Sequence, residues 1–123
     1  MMRTLLVAAV ASVLALPAQA GKLQDAVPDM LRAYADQAGY VLTSIQLCGG
    51  DVEEEDYFRD LVRDNLRQIG ADDDDIGFLD HYMAEAAATA KPKKKECTDD
   101  GAVPMTSEMF GYRNAMRKAL QSE

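Results

Sequence analysis

Between Val27 and Cys48 the apolar residues recur in alternating steps of four and three: Val27, Leu31, Tyr34, Ala38, Val41, Ile45 and Cys48. At 3.6 residues per turn this spacing holds all seven on one face of a helix. A helix with one long apolar stripe needs other helices or a sheet to cover it. No stretch of the chain shows the period-two alternation of a half-buried strand, so the cover is expected to be helical. Pro28 suits the first turn, where its missing N–H leaves nothing unpaired, and Gly49-Gly50 supplies a stop. Gly39, in the middle, lowers the local propensity without ending the helix.

Three further segments repeat the pattern. Asp51 followed by Glu54 has the spacing of a capping box, and Glu53, Glu54, Glu55 and Asp56 fall in the first turn, at the positive end of the helix dipole. The stripe behind them is Phe58, Leu61, Val62, Asn65, Leu66 and Ile69, with Gly70 as the stop. Arg59, Arg63 and Arg67 recur every four residues among Asp56, Asp60 and Asp64, which reads as a solvated face of weak ion pairs. A third helix is expected after the run Asp72-Asp73-Asp74-Asp75, one of which is the N-cap. Ile76, Leu79, Met83, Ala86 and Ala87 form its stripe, broadened by Phe78 and Tyr82. It ends before Lys91-Pro92. A polar connection, Lys93 to Pro104, holds Cys97 and the turn-like Asp99-Asp100-Gly101. Thr106 is expected to cap a last helix with the seam Met109, Tyr112, Met116 and Leu120, and with Arg113, Arg117 and Lys118 in its closing turns.

The first residues carry a different signal. Arg3 provides a positive start, Leu5 to Leu16 an uncharged apolar run, Pro17 a helix break, and Ala18-Gln19-Ala20 small residues where a signal peptidase reads. The run is too short to cross a bilayer, which takes roughly 20 apolar residues. A cleavable signal peptide over residues 1–20 is therefore expected, followed by a single helical domain over 21–123, with no membrane span after cleavage and a periplasmic or secreted product. Cleavage removes one charge, Arg3, and takes the net charge from −8 to −9. Such an acidic chain lacks the basic face that nucleic acid or an anionic membrane requires.

Export bears on the two cysteines, Cys48 and Cys97. An isolated pair in a small exported chain reads as a disulfide. Short connections favour antiparallel neighbours, so the expected fold is an all-α, up-down-up-down four-helix bundle. Cys48 then closes the first helix at one end, and the third helix returns to that same end just before Cys97. Topology brings the two sulfurs together independently of the compartment argument.

Residues that carry chemistry elsewhere are sparse. The run Asp72 to Asp75 offers carboxylates to a hard cation, but Ile76 stands where an EF-hand ligand would and Met83 where its closing Glu would, so a helix start is the better reading. His81, the sole histidine, has no nucleophile pattern beside it. Lys91-Pro92-Lys93-Lys94-Lys95 is followed at once by Glu96, Asp99 and Asp100, which cancel part of its field. Met109 and Met116 sit at core spacing and read as gap-filling core in preference to copper ligands. Tyr40 and Tyr57 are candidates for a partly exposed partner surface. No catalytic, cofactor or metal residue is assigned, and the chain is not expected to be an enzyme.

On Cys48, Cys97 and the small exported helical architecture, the chain resembles the HdeA-type acid-stress chaperones of the bacterial periplasm. In that family the first cysteine opens a helix, whereas Cys48 closes one. The resemblance implies a disulfide-tied domain that exposes apolar surface when acid loosens it. The leading expectation is a non-enzymatic protein-binding or structural module of the envelope, with a protein partner, and the alternative is such a chaperone.

Overall fold

The computed structural model describes residues 21–99, 101 and 105–121; the expected signal peptide, Asp100 and residues 102–104 lie outside these. Five α-helices follow in order: α1 (Lys22–Ala26), α2 (Pro28–Leu47), α3 (Val52–Gln68), α4 (Asp73–Thr89) and α5 (Thr106–Gln121), with one 3-10 turn at Lys94–Glu96 before α5. The four long helices form the expected all-α bundle, and the described residues contain no strand. The short helix α1 was not anticipated, because five residues are too few for a periodic pattern to show.

Side-chain bonds fix the directions. Gln46 Nε2 at the end of α2 donates to Glu55 Oε2 near the start of α3, at 2.9 Å, so α3 runs back along α2. Arg63 and Arg67, late in α3, reach Asp80 at 3.0 Å and Asp73 at 3.3 Å in α4. Thr43 Oγ1 donates to the Ala87 carbonyl at 3.0 Å, which places the end of α2 beside the end of α4. Gln37 Nε2 donates to the Met105 carbonyl, so α5 descends along α2 from its middle. The sequence of directions is up, down, up, down.

The helix the others share is α2. It pairs most extensively with α4, next with α5 and then with α3. Its buried set is therefore wider than one stripe and includes Ala35, Leu42 and Ser44. Close approach to α4 depends on Gly39: a Cβ there would lie 2.5 Å from the Met83 carbonyl oxygen, 2.6 Å from Ala86 Cβ and 2.8 Å from the Ala87 nitrogen. Gly39 is a contact residue, and its low propensity is incidental.

Helix ends follow local rules. Gly49 and Gly70 hold positive φ of 91° and 101°, which admit no ordinary side chain without strain. At the first, Gly50 N–H donates to the Ile45 carbonyl and Gly49 N–H to that of Gln46. At the second, Ala71 N–H donates to Leu66 and Gly70 N–H to Arg67. Both are Schellman closures. Asp51 caps α3 by accepting from Glu54 N–H at 2.9 Å. Asp72 and Asp75 form a full capping box on α4.

The core runs from Leu23 and Leu31 through Tyr34, Val62, Leu66 and Leu79 to Met109 and Met116, all fully buried. Tyr34 Oη donates to the Val62 carbonyl at 2.8 Å inside it, and burial pushes its hydroxyl far above the ordinary phenol range. Three details depart from expectation. The expected pairs within α3 form between Arg59 and Asp56 at 3.3 Å and between Arg63 and Asp60 at 3.6 Å, but Arg63 and Arg67 also bridge α3 to α4. Arg113 turns away from its own helix end and donates to Asn65 Oδ1 at 2.9 Å, tying α5 to α3. Thr106 is the first residue of α5 and not a residue preceding it.

Candidate functional site

The sulfurs of Cys48 and Cys97 lie at disulfide-bonding distance, with their Cα atoms 5.6 Å apart. Cys48 is the C-cap of α2 and Cys97 follows the 3-10 turn, so the end of α2 and the connection to α5 are joined at one end of the bundle. Glu96 reinforces the junction. It accepts from Lys93 N–H at 2.9 Å and closely from the Tyr40 hydroxyl, and these two donors hold its carboxyl below the usual range. The same bond raises the Tyr40 hydroxyl. Tyr40 is thus half-buried and engaged in the fold.

Beside the bridge a cleft of about 630 Å³ opens between α2, α3 and the first turns of α5. Val41, Ile45 and Phe58 form its floor, each almost fully buried. Leu61 and Phe110 flank them, and Tyr57 stands on the rim with 69% of its surface exposed. Among the described residues only Tyr57 and Val52 are exposed large apolar side chains, and both belong to the first turns of α3. Polar lining comes from Glu54, Asp99 and Thr106. The lip is acidic, with Asp51 and Glu53 exposed on the same end of α3 and Asp56 beside them paired with Arg59 at 3.3 Å. Among the described residues no cationic side chain lines the cleft.

The cleft sits where the end of α2, the start of α3 and the start of α5 meet. The Schellman turn at Gly49-Gly50 reverses the chain tightly, and the bridge holds the α4–α5 connection to one side of it. Val41, Ile45 and Phe58 lie at the base of the cleft between these elements. Of these residues, sequence reasoning singled out only Tyr57 for a surface role. The others carry the same periodic signal as any core position, so the cleft had no local signature.

The remaining sequence candidates are dispersed. His81 is exposed and pairs with Glu85 one turn along α4, at 3.0 Å. Lys93, Lys94 and Lys95 are exposed around the 3-10 turn and stay outside the cleft. The run Asp72 to Asp75 has a structural task at the opposite end of the molecule. Asp72 Oδ2 accepts from Lys22 N–H at 3.1 Å. The fully buried Asp75 accepts from Leu23 N–H at 2.9 Å, from Gln24 N–H at 3.0 Å and from Asp72 N–H at 3.1 Å. The two carboxylates satisfy the opening donors of α1 and the capping of α4 together, and these backbone donors, Asp75 N–H foremost, lower the Asp72 carboxyl. Among the described residues no three His, Cys, Asp or Glu side chains converge as metal ligands, and no helix is long and apolar enough to cross a membrane.

The arrangement suits binding by contact: an apolar floor, an aromatic rim and a negative lip. The chain matches no family model, no curated protein and no solved structure.

Proposed function

We propose that the protein is an exported, non-enzymatic binding module whose cleft beside the Cys48–Cys97 bridge takes a segment of another protein. The observation that carries this reading is the open apolar cleft with Tyr57 on its rim and, among the described residues, carboxylates as its charged lining. Apolar pockets with an aromatic at the edge suit an inserted anchor side chain. The Glu54 and Asp99 carboxylates in the lining, with Asp51 and Glu53 exposed beside them, favour a segment with Lys or Arg flanking that anchor. Export is supported by the residue pattern over 1–20 and fits a cysteine pair at bonding distance.

A defined probe tests the reading. A short Leu/Lys peptide is titrated into isotope-labelled protein and amide shifts are followed by NMR. Saturable shifts confined to Ile45, Gly50, Tyr57, Leu61 and Phe110 are expected, with none from a Leu/Glu analogue. Tyr57→Ala should weaken binding by roughly tenfold while leaving the melting temperature unchanged. Shifts spread along the acidic faces without saturation, or full affinity in Tyr57→Ala, would refute it.

A second reading, an acid-released chaperone, is favoured by two carboxylates. Asp72 and Glu96 are both held in lowered, ionised states by contacts that fasten α1 and the α4–α5 connection. Suppression of client aggregation at pH 2 to 3 and not at pH 7 would support it. A domain that keeps native near-UV CD at pH 2 and protects no client would end it.

A further inference from the structure

The fold makes a strict demand on Gly21, the residue directly after the expected signal-peptide cut. Gly21 is buried, and a Cβ there would fall onto the Asp75 carboxylate, 2.6 Å from Cγ and 2.7 Å from the Asp75 backbone nitrogen. Signal processing asks only for small residues before the cut, so the glycine answers to packing on Asp75. The Gly21 nitrogen is about 2.5 Å from that Cβ position by standard bond geometry. It therefore lies within about 5 Å of the Asp75 carboxylate carbon. Asp75 already accepts the N–H groups of Leu23, Gln24 and Asp72, and Asp72 accepts that of Lys22. Among the described residues Asp75 has no cationic partner at ion-pair distance.

We propose that processing completes this site: cleavage between Ala20 and Gly21 turns the Gly21 amide into an α-ammonium that pairs with Asp75, with Asp72 beside it. The proposal rests on the export reading, which places the cut. One water is consumed as the C–N bond breaks; its oxygen leaves on Ala20 as carboxylate, and its two protons convert the Gly21 N–H to NH₃⁺. A neutral amide becomes a cation next to a fully buried carboxylate, where an ion pair is least screened by solvent. The mature chain thereby fastens α1 onto the start of α4 through a contact the precursor lacks.

Three chains test it: one starting at Gly21 with a free amine, released in vitro from a tag; the same chain N-acetylated; and one that keeps Ala20 as its first residue, which moves the amine by about 3.8 Å. Urea denaturation should give the free Gly21 chain a folding constant roughly tenfold above the other two. That advantage should collapse in Asp75→Asn. Should Asp75→Asn fail to fold, Asp72→Asn and the reductive methylation rate of the α-amine serve instead, the amine reacting far more slowly in the native chain than in urea. Equal folding constants for the three chains, or an amine as reactive in the native chain as in urea, would overturn the pairing. Mass analysis of the product exported by a bacterial host reports separately on the cut. A product beginning at Gly21 supports the link to processing, and one beginning elsewhere overturns that link whatever the denaturation series shows.

Discussion

Gly39→Ala separates local propensity from packing more sharply than any other substitution here. On propensity alone, replacing a mid-helix glycine with alanine stabilises by about 1 kcal/mol. The new methyl group, however, meets the Met83 carbonyl at 2.5 Å, Ala86 Cβ at 2.6 Å and the Ala87 nitrogen at 2.8 Å. Ordinary contacts for such atoms lie near 3.5 Å, so α2 and α4 must part by about 1 Å. Two of the three obstacles are backbone and have no rotamer to change. Overpacking of this kind costs about 1–3 kcal/mol. Parting the helices also stretches the bond from Thr43 Oγ1 to the Ala87 carbonyl, now 3.0 Å, worth about 1 kcal/mol. Net destabilisation of about 2 kcal/mol is expected, a fall of roughly 10 °C in melting temperature for a domain of this size. Gly77 and Gly111 provide the controls: both are exposed inside helices with nothing within 4 Å of an added Cβ. Gly77→Ala and Gly111→Ala should each stabilise by about 0.5–1 kcal/mol. Urea and thermal melts followed by far-UV CD read all three. A Gly39→Ala protein that melts higher than the parent would refute the close-approach argument.

Other perturbations address single contacts. Cys48→Ser removes a bridge spanning 49 residues, and in the chain-entropy model this costs about 4 kcal/mol; hydrogen exchange should show α5 amides losing protection before those of α2, and uniform loss would count against it. Tyr34→Phe deletes the buried bond to the Val62 carbonyl and should cost about 1 kcal/mol in urea denaturation with packing otherwise kept. Asp72 and Glu96 have carboxyls lowered in the fold, so their stabilising contacts are complete above the ordinary carboxylate range near pH 4 and are lost as pH falls below it; Lys22 and Lys93 amides should lose protection on acidification from pH 5 to pH 2, and unchanged exchange across that range would refute the assignment.

The helices were legible because each obeys a local rule. The four-three steps from Val27 to Ile45 require only that one face be covered, and the glycines after α2 and α3 end them by backbone geometry alone. The bridge was legible because helix lengths and short turns dictate which ends meet. What escaped notice depends on distant partners. Gly39 has the same sequence signature as a weak spot in a solvent-facing helix, and only the approach of α4 gives it a task. Glu55 sits among three carboxylates expected at a helix start, yet it is nearly buried because Gln46 donates to it. Arg113 has the charge expected near a helix end, but Asn65 offers a better acceptor on a neighbouring helix. The cleft escaped for the same reason. Val41, Ile45 and Phe58 are core residues by pattern, and only the meeting of α2, α3 and the start of α5 in the folded chain places a cleft beside them.

The outermost helices are held by devices of different chemistry at opposite ends of the bundle. Helix α5 enters beside the Cys48–Cys97 bridge, and α1 is seated on Asp72 and Asp75 at the start of α4. A five-residue helix cannot hold itself together in water, so α1 exists because two carboxylates take its first three N–H groups. A covalent bond answers to reductant and is indifferent to acid. The Asp72 part of the cap answers to acid, and the cap as a whole is indifferent to reductant. Reducing the bridge should therefore leave the α1 end intact, since the α2–α4 seam between them is the most extensive helix pairing among the described residues. The cleft lies at the bridged end, so its shape depends on the redox state of Cys48 and Cys97 more directly than on the contacts that seat α1. A ligand of the cleft would accordingly be lost on reduction at neutral pH while Leu23 and Gln24 amides remain protected.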